Sequence, residues 1–330
     1  MADYIIDGAI LTDIADAVRE KTGGTEPIVP ENMAEEVSVG FERAYAAGYE
    51  DGKGGWIGDG NTHIWISLSE GRTSPMMGLN LNGTVTVDWG DGTEPEVLTH
   101  TNYYRADSLT HNYAAAGNYM ITISGDGELR IAGDGVSGSY LLRYNPNVVD
   151  DRNTAYVSSI CKVEVGNNVT SLNQAFRGCR SLSGVSIPNN RITVINTSTF
   201  QYCSALRSVT LPDGVTSIVE SMFYLCYALA SVTIPESVTS IGDSAFYECS
   251  SLTSIKFPAG VTSIGRAVFY NCYGVRTYDF TACTAVPTLA ATNAFYNIPA
   301  DCEIRVPAAL YDEWIAATNW SAYVDRIVAV

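Results

Sequence analysis

The stretch Val238 to Gly260, VTSIGDSAFYECSSLTSIKFPAG, recurs along this chain. Before it, VTSIVESMFYLC runs from Val215 to Cys226; after it, VTSIGRAVFYNC runs from Val261 to Cys272. Phe176, Phe200, Phe223, Phe246 and Phe269 advance in steps of 24, 23, 23 and 23 residues, and so do Cys179, Cys203, Cys226, Cys249 and Cys272. Pro188, Pro212, Pro235 and Pro258 keep the same beat. Within one unit, Leu252, Ile255 and Phe257 alternate with polar residues, the pattern of a short strand with one face buried. Pro258 ends it, because proline brings no N–H to a ladder. Val261 and Ile264 form a second inward side, and Ala267, Phe269 and Cys272 a third. A coil burying about five such side chains gains about 1.5–3 kcal/mol from each. That does not offset the ordering entropy of one coil, so neighbouring coils must stabilise one another.

A fixed period with Leu or Ile at set places is the mark of a leucine-rich solenoid. The unit V-T-x-I-x-x-x-A-F-x-x-C-x-x-L-x-x-I-x-I-P resembles the BspA-like class of leucine-rich repeats over residues 160–306. Five of the eight cysteines share one repeat position, which reads as a column of small buried thiols. Disulfides or a metal site are the alternative, and no C-x-x-C pair supports the metal.

The net charge of −17 and pI near 4.4 argue against nucleic-acid binding and against anionic membranes. No apolar run reaches the length of a bilayer span, so no membrane insertion is expected. The opening MADYIIDGAILTDIADAVREK lacks a cationic start and a long apolar core, so it does not read as a signal peptide.

Residues 1–54 read as a helical attachment or oligomerisation segment. Leu11, Ile14 and Val18 make one apolar stripe; Met33, Val37, Phe41, Ala44 and Gly48 make a second, and both are a candidate assembly interface. IADAVREKTGGTEPIVPENMAEEV is similar to segments that open structural proteins of tailed bacteriophages. Residues 55–60 form a Gly-rich linker. Residues 61–126 read as all-β; VDWGDGT and HNYAAAGNYMITI resemble PKD-type domains, which implies an immunoglobulin-like sandwich with Trp89 in its core, Asp91-Gly92 in a turn and His111 packed within it. Residues 127–159 form an irregular connector over the open end of the first coil. Residues 160–306 are the repeats. Residues 307–330 form a cap, with Leu310, Trp314 and Ile315 facing inward from a short helix and a final strand at RIVAV. The fold class is multidomain and mainly β: a helical segment, a PKD-type sandwich, then a leucine-rich-repeat solenoid with a short helical cap.

No catalytic, cofactor-binding or metal-binding motif is present, and the expectation is a protein that is not an enzyme. Gly133-x-Gly135-x-x-Gly138 matches a dinucleotide fingerprint in form only, since no helix pattern follows it. Two solenoid surfaces remain. One is the outward face of the strand ladder, with rows through Ser208, Ser231 and Ser254 and through Thr210, Thr233 and Lys256. Good strand formers on a solvated face account for these residues. The other is a tyrosine ridge along the phenylalanine column: Tyr224, Tyr227, Tyr247, Tyr270, Tyr273 and Tyr296. Ring packing over the edge of the core accounts for it as a fold feature; tyrosine's rigid, amphipathic contact area makes it the candidate receptor-binding surface.

The resemblances imply a non-enzymatic phage virion structural protein, an exposed tail or appendage protein in host-surface recognition, made in the host cytoplasm. Its partners would be other virion proteins through residues 1–54, further copies of itself as a homo-oligomer (a trimer favoured), and a host surface glycan or protein. The alternatives are a bacterial cell-surface leucine-rich-repeat adhesin and a virion decoration protein without a receptor role.

Overall fold

The computed structural model describes residues 57–70, 73–77, 79–105, 109–132, 142–143, 159–188, 191–192 and 195–330. The expected helical segment and all eight residues of its candidate interface lie outside them. Residues Gly58–Val330 make one compact unit.

The first strands precede the repeats, and the one at Thr62–Leu68 is buried on both faces. They are β1 (Thr62–Leu68), β2 (Met76–Met77), β3 (Asn80–Asp88), β4 (Glu96–Arg105), β5 (Leu109–Thr110), β6 (Gly117–Ser124), β7 (Glu128–Ala132) and β8 (Leu142–Arg143). The repeats begin with β9 (Ile160–Glu164), β10 (Val169–Asn173), β11 (Gly184–Ser186) and β12 (Ser208–Thr210). One nine-stranded sheet holds both groups, in the order β10-β7-β3-β6-β1-β9-β11-β12 with β4 on the side of β3. β1 pairs antiparallel with β6 and with β9, so Ile64 faces Ile121 on one side and Val163 on the other. The buried row then continues through Val185 and Val209. On another side of the coil, β7 pairs in parallel with β10.

Two ladders of the solenoid therefore start on strands from outside the repeats, and a sheet edge that would otherwise be open is paired. β7 belongs to the connector expected at 127–159; most of the rest of that connector lies outside the described residues. The expected linker is anchored at its described end: Gly58 N–H donates to Glu164 Oε1 at 2.8 Å, and Asn167 N–H to the Gly60 carbonyl at 2.8 Å.

The solenoid has about seven coils and three sides. Its second side is a parallel sheet of β13 (Ser217–Ile218), β14 (Ser240–Ile241), β16 (Ser263–Ile264) and β18 (Thr288–Leu289). The first side resumes as β15 (Ser254–Lys256), β17 (Thr277–Asp279), β19 (Glu303–Val306) and β20 (Ile327–Ala329). Between β12 and β15 the coil at Ser231–Ile234 carries no strand pairing. Val232 there is half-buried, whereas its counterparts Val209 and Ile255 are 5% and 1% exposed. The sequence SVTI at this coil nearly repeats the SVTL that opens with β12, so the break is not written in the local pattern.

The third side carries the stacked core. Phe176, Phe200, Phe223, Phe246, Phe269 and Phe295 lie 5.2–5.5 Å apart, centroid to centroid, with near-parallel rings. Alternate backbone N–H groups here donate to the following coil, as from Phe223 to Ala245 at 2.8 Å and from Phe246 to Val268 at 2.9 Å. Turning the corners takes left-handed backbone at two positions per coil. Gln174, Ser198, Ser221, Ser244 and Ala267 hold one; Tyr202, Leu225, Glu248, Asn271 and Asn297 hold the other, all with φ of 49–65°. The inward residue assigned to Ala267 is corrected to Val268, which is fully buried. Ala267 is the corner residue itself, with φ 49°.

The far end closes as its apolar spacing dictates. Trp314, on the helix α1 (Tyr311–Ala316), and Trp320 are fully buried against Phe280. Trp320 Nε1 donates to the Pro287 carbonyl at 2.7 Å, and β20 adds the final strand. Leu310 and Ile315 pack beside them, partly buried.

Candidate functional site: a tyrosine ridge

The residue after each stacked phenylalanine points away from the core. From the third full coil it is a tyrosine. Tyr224, Tyr247, Tyr270 and Tyr296 stack with centroids 4.7–4.8 Å apart and interplanar angles of 6–18°. This spacing is the inter-strand distance of a sheet, so the solenoid's rise imposes it. Ring faces within the column cover one another. Edges and hydroxyls face out, and Tyr296 at the end is 52% exposed. Tyr202 continues the column at its start with an edge-on contact to Tyr224 at 5.9 Å, and Arg177 lies over its ring at 6.0 Å. Tyr202 escaped the sequence reading because it sits one residue later in its repeat, at the left-handed corner.

Tyr227 and Tyr273 are different. They stand four residues past their phenylalanines, 44% and 50% exposed, and neither joins the stacked column. Between them in the repeat is Ser250. Beside them runs a row of corner residues. Asn271 Nδ2 donates to Glu248 Oε1 at 3.3 Å. Asn297 Nδ2 reaches Asn271 Oδ1 at 3.1 Å and the Tyr273 hydroxyl at 3.3 Å. Burial, then the charge and hydrogen bond of Glu248, push the Tyr227 hydroxyl above its usual range. Burial and then Glu248 do the same to Tyr247. The six tyrosines named from sequence thus divide into a stacked row of four and a free pair.

The cysteine column lies directly beneath. Cys203, Cys226, Cys249 and Cys272 each donate Sγ–H to the phenylalanine carbonyl of the preceding coil at 3.0–3.2 Å. All eight cysteines are free, and burial raises the thiols of the column, Cys272 to about 12.

In the β region, Trp89 is 1% exposed and stacks on His111 at 4.8 Å, 9° from parallel. His111 Nε2 lies 2.7 Å from Asp91 Oδ2, and Tyr113 donates to the Trp89 carbonyl at 2.9 Å. Asp88 and Asp91 accept from Gly90 N–H and Thr93 N–H, as turn carboxylates do. Gly90 has φ 76°, and a side chain there would run into the Met120 carbonyl. The outward rows are interrupted at Ser231 and Thr233, and Lys256 stands exposed opposite Asp279. Among the described residues no three His, Cys, Asp or Glu side chains cluster to hold a metal.

The three-sided parallel β-solenoid, with a stacked phenylalanine in each coil, has the architecture of a leucine-rich repeat region. Residues 153–301 match the BspA type leucine rich repeat region in six copies, and the repeat region is of that type. Among solved structures, a T. pallidum leucine rich repeat protein is 26% identical over 44% of this chain and 72% of its own, with a TM-score of 0.37. A Bacteroides ovatus leucine-rich repeat protein is 26% identical over 55% of this chain and 45% of its own, with a TM-score of 0.39. A leucine rich cell surface protein from Faecalibacterium prausnitzii is 31% identical over 39% of this chain and 41% of its own, with a TM-score of 0.33. The matches thus span less than half the length of the last two. Among curated proteins none matches.

Proposed function

We propose that this chain is a non-enzymatic, surface-displayed recognition protein of the adhesin kind, and that the tyrosine ridge is its binding face. The observation behind the reading is the free pair, Tyr227 and Tyr273: large rings, about half exposed, on a rigid ladder and beside a hydrogen-bonding row. Anchors of this kind bind with little conformational cost, since two torsions fix each ring. The repeat class fits the same role, a long regular surface on which a few side chains vary. The PKD-like region then acts as a spacer, and the ligand is a glycan or protein on a cell surface.

The test is adsorption of the labelled full chain to intact cells. Replacing Tyr227 and Tyr273 together by Ser should abolish adsorption while leaving the circular dichroism spectrum unchanged. Adsorption that survives the double change overturns the reading.

A second reading is favoured by the stretch IADAVREKTGGTEPIVPENMAEEV: an exposed tail or appendage protein of a phage virion, anchored through residues 1–54 as a homo-oligomer. Light-scattering mass of the full chain tests it. A defined oligomer that falls to monomer on Val37→Asp supports it; a monomeric full chain removes self-assembly from the account.

A further inference from the structure

The ridge has one place where its regularity is broken in a way that makes room. Tyr227, Ser250 and Tyr273 hold the same position in three successive coils. The outer two are exposed rings and the middle one a small hydroxyl. Successive coils are one strand spacing apart, so about 9.5 Å separates the two tyrosine positions across the serine. Within the four-ring column the ring faces are stacked on one another. The small side chain at Ser250 leaves a gap between two rings that are about half exposed.

Its rim is polar and carries one charge. Glu248, two residues before Ser250, pairs with Asn271 and Tyr227, and among the described residues no basic side chain neutralises it. Asn297 supplies a further amide beside the Tyr273 hydroxyl. Arg276, whose guanidinium donates to the Tyr273 carbonyl at 3.1 Å, is 3.2 Å from Asp301 and so is already compensated. The whole chain is acidic, at −17. Glu248 also occupies a corner with φ 57°, where asparagine or glycine sits with less strain and where the next two coils carry asparagine.

We infer that the Tyr227–Ser250–Tyr273 notch binds one pyranose ring of an uncharged or amine-bearing glycan, with the sugar's C–H face against tyrosine and its hydroxyl or ammonium groups on Glu248, Asn271 and Asn297. This rests on the ridge being the binding face and names its ligand class. Charge complementarity excludes acidic glycans: a uronate carboxylate would meet Glu248 with no cation to offset the repulsion.

Calorimetry on the full chain tests it with three tetrasaccharides of equal length, one of glucosamine, one of glucose and one of galacturonate. The glucosamine and glucose chains bind, and the galacturonate chain binds at least about tenfold more weakly. Ser250→Trp fills the notch at a half-buried position where the neighbouring coils already carry tyrosine, and weakens binding by about tenfold or more, as anchor changes do. Glu248→Gln removes the preference for glucosamine over glucose and leaves glucose binding in place. Galacturonate binding as tight as glucosamine, no binding of any of the three, or wild-type affinity in Ser250→Trp overturns the inference. The two readings fail separately. Cell adsorption that needs Tyr227 and Tyr273 but survives periodate oxidation of the cell-surface glycans defeats the sugar and leaves the ridge. Adsorption indifferent to both tyrosines defeats both.

Discussion

Cys249 donates its thiol hydrogen to the carbonyl of Phe223, one coil back, at 3.2 Å. Both side chains are fully buried, and the same bond recurs coil after coil. The cysteine thus serves as small apolar filler and as a second donor to a carbonyl that already accepts from Cys226 N–H at 3.1 Å.

Cys249→Ala should cost about 2 kcal/mol, from the lost bond and the space left by sulfur in a core that relaxes little. Urea denaturation gives the value. Alkylation gives a second reading. The thiolate is the reactive form, and burial holds Cys272 and Cys302 near pKa 12 and Cys283 near 11. At pH 8 the native chain should therefore react quickly at the half-buried Cys161 alone, and at all eight cysteines once unfolded.

Leu225 sits at a corner with φ 59°, where an L-residue other than glycine or asparagine is strained. Asn271 and Asn297 hold the equivalent corners. Leu225→Asn should raise stability by about 1 kcal/mol. The urea midpoint should rise with no change in slope.

The Tyr278 hydroxyl is buried without a hydrogen-bond partner, in a ring packed between Phe269 and Phe295. Its repeat position carries Ile or Val in the preceding coils. Tyr278→Phe removes the unsatisfied group and keeps the ring, so it should stabilise the chain by about 1 kcal/mol. Loss of stability would show that the hydroxyl is paired in solution.

Asp91 links pH to the β region. Burial raises its pKa, but hydrogen bonds from Thr93 and His111 and the charge of His111 outweigh that and bring it down to about 2. A depressed folded pKa contributes stability that is complete above the unfolded value, near 3.8, and is lost as pH falls toward 2. Asp91→Asn should lower stability at neutral pH and flatten the acid limb of thermal unfolding between those values. An acid limb that keeps its slope would place the effect elsewhere.

The solenoid was legible because its physics is periodic. One coil's needs repeat, so Phe246, Cys249 and Pro258 announce their counterparts by spacing alone. The cap was legible for a similar reason: Trp314 lies in an apolar pattern that has to be covered. Pairing between β1 and β9 was not, since a strand's sequence states which face is buried and leaves its edge partner open. Nor was the division of the tyrosines. Tyr270 and Tyr273 look alike in sequence, and only the rise of the coils makes one a stacked ring and the other a free one. At Ala267 the residue type misled: aligned on the phenylalanines, Ala267 holds the corner position of Ser244, and Val268 holds the buried position of Ala245.

The most direct test of the binding account is a tyrosine nitration footprint of the full chain, free and adsorbed to cells. Free protein should be nitrated at the exposed rings of Tyr202, Tyr227, Tyr273 and Tyr296. Adsorbed protein should be protected at Tyr227 and Tyr273 above all. Unchanged nitration of those two on adsorption would contradict the account and move the binding face away from the ridge.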